Sequence, residues 1–184
     1  MFFFTKNSDI DFKPDSIEYA YFLLLNDDLV QAQKIFKKQD SPRAKWGVVL
    51  VDILKGYLEH FPTYFSIRNF LEIDLDFLLK NEKIEYVELV LGSLKILNDI
   101  NQETYKYVAR VMLENRLNKS AFEYLMLAKD CFYNDPELHF LFAKYYLKMR
   151  DFHQADYHLD ECLNVIPEYY PAKILQKEIS RYLA

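Results

Sequence analysis

Six residues in the last third of the chain, Ala143, Tyr146, Ala155, Leu159, Cys162 and Pro167, recur 34 positions earlier as Ala109, Met112, Ala121, Leu125, Ala128 and Tyr133. A further shift of 34 gives Leu75, Leu78, Val87, Leu91, Leu94 and Asp99, where the apolar character persists and the small residues are lost. Near the start the spacing returns out of phase as Ala20, Leu23, Ala32 and Phe36, so an insertion separates this copy from the others. A period of this length constrains the fold more than any local propensity, because a unit that small leaves an apolar face open and must stack on its neighbours. Two short antiparallel helices need small side chains where their backbones approach and large ones where they interdigitate, and alanine marks the crossing.

Composition agrees with helices. Three glycines and six prolines in 184 residues are too few for the closely spaced turns of an all-β domain. Fifteen tyrosines and fifteen phenylalanines supply bulk for filling gaps between helices or covering a partner. A chain of this length can bury roughly 70% of its unfolded surface, so a single domain is expected. The net charge of -5 removes the attraction to phosphate on which nucleic-acid affinity rests, and no nucleic acid is expected as a ligand. Cys131 and Cys162 have neither a CxxC nor a histidine-spaced partner, which suggests neither a disulfide framework nor a zinc site. The opening MFFFTKNSDIDF lacks a basic start, a sustained apolar stretch and a cleavage site, and cytoplasmic residence is expected. The apolar runs at Gly47 to Leu54 and Val87 to Leu97 are far shorter than the roughly 20 residues of a membrane-spanning helix.

The pattern predicts helices over 16–25, 28–38, 43–59, 64–80, 83–98, 102–115, 118–132, 136–149, 152–165 and 169–183. Asp15 or Ser16 can cap the first helix, Ser41 precedes Pro42 and Asp135 precedes Pro136 at two others, and Asp151 is a further N-cap candidate. Helices 43–59 and 64–80 form an atypical pair in this reading, which accounts for the phase slip.

These residues resemble the tetratricopeptide repeat family, over about 100 residues from Arg68 to Pro167 and most clearly in NDPELHFLFAKYYLKMRDFHQADYHLDECLNVIP. His139 takes the place of the family's aromatic, and Ala143 that of its glycine. The resemblance implies an all-α, right-handed superhelical solenoid of about ten antiparallel helices. An N-terminal segment over 1–15 would precede a repeat domain over 16–183, with repeats at 68–101, 102–135 and 136–169 and a capping helix at 169–183. It also implies a concave face lined by the first helix of each pair, which maps onto Glu72, Asp76, Leu79, Lys80, Lys106, Arg110, Leu113, Phe140, Lys144, Leu147 and Lys148. Acidic residues gather in the earlier repeat. Lys106, Arg110, Lys144 and Lys148 form a basic patch in the later ones, beside Phe140 and Leu147. The carboxylate clamp of some family members is not reproduced, since the corresponding positions hold Glu72, Asp76, Tyr107, Glu137 and Leu141.

No catalytic motif competes with this. The chain has no Gly-rich phosphate loop, HExxH, GxSxG or cysteine with a histidine signature. Asp151, His153, Asp156, His158 and Asp160 are dense in metal-capable groups, yet His153 and His158 lie five apart on a helix and point about 140° away from each other, so a solvated face is the better reading. Glu72 and Asp76 share a face, as exposed acidic pairs often do. Cys131 and Cys162 read as small buried hydrophobes. The expected function is therefore a non-catalytic adaptor or scaffold without a cofactor, gripping a peptide that carries acidic residues beside one or two large apolar ones. A small chaperone for secreted or assembling subunits, a helical small-molecule-binding regulator, and a homo-oligomer built through the degenerate repeats or through Phe2, Phe3 and Phe4 are the alternatives. Those three phenylalanines are expected to fold back onto the first helices.

Overall fold

The computed structural model describes residues 12–132 and 134–183, which leaves Phe2, Phe3 and Phe4 outside the described residues. Among these residues the chain is all-α, with eleven α-helices, a closing 3-10 turn and no strand. It divides into two compact units, Met1–Asn101 and Gln102–Ala184, and the division falls between the first and second in-phase repeats.

The first unit holds α1 (Ile17–Leu25), α2 (Leu29–Lys37), α3 (Pro42–Leu54), α4 (Tyr64–Lys80), α5 (Ile84–Gly92) and α6 (Leu94–Ile100). The second holds α7 (Thr104–Glu114), α8 (Asn118–Cys131), α9 (Pro136–Lys148), α10 (Phe152–Val165), α11 (Tyr170–Ile179) and the turn Ser180–Tyr182. Helix starts follow their capping chemistry. The side chains of Ser16, Ser41, Asp135 and Asp151 each accept from a backbone N–H in the first turn of the helix that follows. Thr63 and Ser66 form a reciprocal capping box at the start of α4.

The period is written most plainly in the backbone. Asp27, Glu82, Arg116 and Arg150 all adopt φ between 56° and 65°. At each, the following N–H reaches back five residues: Asp28 to the Leu23 carbonyl, Lys83 to Leu78, Leu117 to Met112 and Asp151 to Tyr146, at 2.9–3.0 Å. These are Schellman turns, which satisfy the last carbonyls of one helix while reversing the chain into the next. The last three lie 34 residues apart, whereas Asp27 precedes Glu82 by 55, which is 21 more than one period. Small residues sit where the sequence places helix crossings: Ala20, Ala32, Ala109, Ala121, Ala143 and Ala155 are completely buried. Pairs α1/α2, α7/α8 and α9/α10 pack face to face, and α11 closes on α10.

The phase slip has a different origin from the expected helix pair. Helix α4 turns into α5 through the regular turn at Glu82, and α3 packs on α2, α4 and α5, so the insertion is one helix with its loop. Helix α3 stops at Leu54 and does not reach residue 59, because Gly56 takes φ +82° there. Gly47, inside α3, lets α2 approach; a Cβ at that position would lie 2.6 Å from the Phe36 ring. The helix expected over 83–98 is broken at Ser93, whose hydroxyl donates to the Val90 carbonyl at 2.7 Å, and a Gly–Ser pair is a recurrent site of such breaks.

Candidate functional site

The residues expected on a concave face fall into three groups. In the first unit, Asp76 is buried and accepts from Lys80 Nζ at 2.5 Å, while Glu72 is half-buried nearby on the same helix. Their neighbour Asp74 is wholly inside. It accepts from Tyr21 Oη at 3.0 Å, Trp46 Nε1 at 2.5 Å and Arg43 Nη1 at 3.2 Å, with Arg43 also paired through Nη2. Burial pushes the Asp74 carboxyl above the ordinary aspartate value, although Arg43, Trp46 and Tyr21 all pull it down. The guanidinium of Arg43 in turn lies over the rings of Tyr21 and Phe70. This is a structural core network, and it assigns Asp74 to the interior of the unit.

In the second unit, Lys106 is only 2% exposed. Its Nζ lies 2.8 Å from Asp135, 3.0 Å from Glu137 and 3.4 Å from Glu103. Burial alone lowers a lysine pKa, but Asp135 and Glu137 outweigh it and hold this ammonium above its ordinary value. Arg110 pairs with Glu137, and Tyr107 donates to Glu103. Leu113 is fully buried and offers a partner only its carbonyl, which accepts from Lys148. Lys106, Arg110 and Leu113 therefore bind α7 to the segment that opens α9 and contribute no open basic patch.

The third group does come together. Phe140, Lys144, Leu147 and Lys148 line one side of an open groove of about 360 Å³, and Pro171, Ile174, Leu175 and Glu178 of α11 line the other. Phe140 is braced edge-on against Tyr169, with ring centroids 5.4 Å apart. Partial desolvation, and then the neighbouring cations Lys144 and Arg116, pull the Lys148 ammonium below its usual value. On α11, Ile174 is 59% exposed. Helix α11, expected as a cap over the last repeat, is also a wall of this groove. The signal was Tyr170 and Ile174 at i and i+4, an apolar pair on the outer face of a terminal helix.

The polar stretch on α10 divides. His153 is exposed, whereas His158 is buried, with its Nδ1 3.0 Å from Nδ1 of His139. The His158 ring stacks on Phe142 and Tyr146, with centroids 4.8 and 5.5 Å away. It belongs to the core and not to a solvated face. Desolvation lowers the His158 pKa most, His139 and Lys129 add to it, and the value falls to about 4 from the ordinary 6.5. The folded state therefore favours the neutral ring. The associated stability is complete above pH 6.5 and is lost as pH falls from there toward 4. Urea unfolding at pH 7 and pH 4.5 should differ by about 2–3 kcal/mol from this group, and His158→Gln should remove that part of the difference. An equal pH dependence in the variant would show that the pair does not couple to folding. The cysteines also divide. Cys162 is buried and its thiol is pushed up to about 11 by burial and Asp135, while Cys131 is exposed, contrary to the reading of both as buried; neither forms a disulfide.

The turns at Glu82, Arg116 and Arg150 repeat at the length of one helix–turn–helix unit, and the buried alanines of the last two pairs repeat with them. The fold is TPR-like. No protein-family model matches the chain, and no curated protein does. Among solved structures it is similar to the C-terminal part of a TPR repeat-containing protein from Cytophaga hutchinsonii, with 16% identity, a TM-score of 0.48, and coverage of 89% of this chain and 70% of that one. No helix among the described residues is long and apolar enough to cross a membrane.

Proposed function

We propose that the chain is a non-catalytic protein-interaction module that seats a peptide segment in the groove between α9 and α11. The observation that carries this reading is the combination, in one open groove, of apolar walls from Phe140, Leu147, Ile174 and Leu175 with two lysines, Lys144 and Lys148, the second also donating to the Leu113 carbonyl, against the single carboxylate of Glu178. An open apolar groove rimmed by polar side chains marks a contact site, and the two lysines favour an acidic residue beside the apolar anchor. The peptide is therefore an amphipathic segment with one or two large apolar side chains and an acid about one helical turn away. The unlinked cysteines are in keeping with a reducing, cytoplasmic setting.

The test is affinity capture from native cell extract with wild type and with Lys144→Glu combined with Ile174→Asp. Both substituted side chains lie in the groove and outside the buried core, so the helical spectrum should stay unchanged. A partner that seats in the groove should be weakened at least about tenfold, equivalent to about 1.4 kcal/mol. A partner retained equally by both proteins would remove the groove from the reading. Concentration-dependent light scattering that disappears in the variant would instead make a second copy of the chain the occupant.

A further inference from the structure

The 21 residues that break the period do more than shift its phase. Helix α3 and the loop that follows it, together with the end of α2 and the start of α4, enclose a concavity of about 990 Å³ in the first unit. Phe36, Trp46, Val49 and Phe70 form its apolar base. Phe61 and Phe65 line it as well, each 67% exposed. Three lysines, Lys37, Lys38 and Lys45, line it against a single carboxylate, Asp40, in a chain whose net charge is -5.

Two of these lysines hold exposed acids, Lys38 with Asp15 at 2.9 Å and Lys45 with Asp40 at 2.6 Å. Such surface pairs contribute little and exchange readily for another anion. Lys37 makes no ion pair among the described residues. The loop is tied to α3 by Asp52, which is fully buried on that helix. Its Oδ2 accepts the backbone N–H of His60 and lies 2.8 Å from His60 Nδ1, and its Oδ1 accepts from Gln33 at 2.6 Å. This fixes the His60 ring, which forms part of the wall.

We propose that this concavity binds a small organic anion, a carboxylate or sulfonate carried on an aromatic body of one or two rings. The volume lies in the range of small-molecule sites, and such sites combine an apolar lining with a few polar groups that fix orientation. The aromatic base takes the rings and the lysines take the acid. A cation of the same shape meets a lining in which three lysines stand against one carboxylate. The chain's single tryptophan, Trp46, is part of the lining and reports occupancy directly.

The experiment titrates the whole chain with 4-biphenylacetate, with 4-biphenylmethylamine and with acetate, following Trp46 emission. Saturable change with biphenylacetate is expected, with none from acetate and far weaker change from the amine. Lys37→Gln combined with Lys45→Gln should weaken biphenylacetate roughly fivefold or more with an unchanged helical spectrum. Lys144→Glu with Ile174→Asp, in the other unit, should leave it unaltered, so failure here is separate from failure of the peptide groove. The proposal is overturned if biphenylacetate gives no saturable response, if the amine binds as well as the acid, or if the lysine variant binds as wild type does.

Discussion

Replacing Asp74 with alanine should lower the stability of the unit Met1–Asn101 by about 3–5 kcal/mol. The carboxylate is the common acceptor for Tyr21, Trp46 and Arg43, and all of its hydrogen bonds lie inside the protein. Its removal leaves a half-buried guanidinium without its counter-ion and strands two neutral donors, and stranding a buried group costs more than the net value of the bond it made. Urea unfolding followed by Trp46 emission reads the loss where it occurs, because Trp46 is itself a donor to Asp74. Asp74→Asn keeps an acceptor and should cost less, and Tyr21→Phe should cost about 1 kcal/mol. A loss below about 1 kcal/mol for the alanine variant would mean that the network adds nothing beyond packing.

Lys106→Glu should be of similar size in the second unit, about 3–5 kcal/mol, because it puts a fourth acid where Glu103, Asp135 and Glu137 surround a buried cation. Thermal unfolding by circular dichroism at pH 7 should show a clearly lower midpoint. Lys106→Met should fall between the two, since it removes the cation without adding repulsion. Stability within about 1 kcal/mol of wild type would overturn the ion-pair cage and return Lys106 to the role of an accessible binding residue.

The contrast between these residues and the α9 groove shows what a linear pattern carries. Alanines at a fixed period report helix crossings because the crossing is a property of one helix pair, and the same residues prove completely buried. Phe140, Lys144, Leu147 and Lys148 are legible for the same reason, since spacings of four, seven and eight from Phe140 place them along a single helix face. Lys106 was misplaced because its burial depends on Asp135 and Glu137, roughly 30 residues away on the next pair, and periodicity assigns a face without assigning a partner. His158 was misplaced likewise, as its burial depends on His139, Phe142 and Tyr146 of α9. The end of α3 was a local matter and turned on Gly56, whose positive φ the apolar run before it concealed. The break at Ser93 carried a weaker signal, a Gly–Ser pair inside an otherwise continuous helical pattern.

The two regular turns at Asp27 and Glu82 bracket the inserted helix without being altered by it. The extra stretch is thus a cassette, entering and leaving the array between two intact punctuation marks. Trp46 and Arg43 both belong to it, while Asp74 belongs to the regular repeat that follows. A descendant of the same array without the cassette would lose Trp46 and Lys45 from the aromatic pocket in one step, and the acid in its core would lose two of its three partners. In such a chain, natural variation should replace the aspartate of α4 with an apolar residue, so that the cassette and the acid are inherited or lost together.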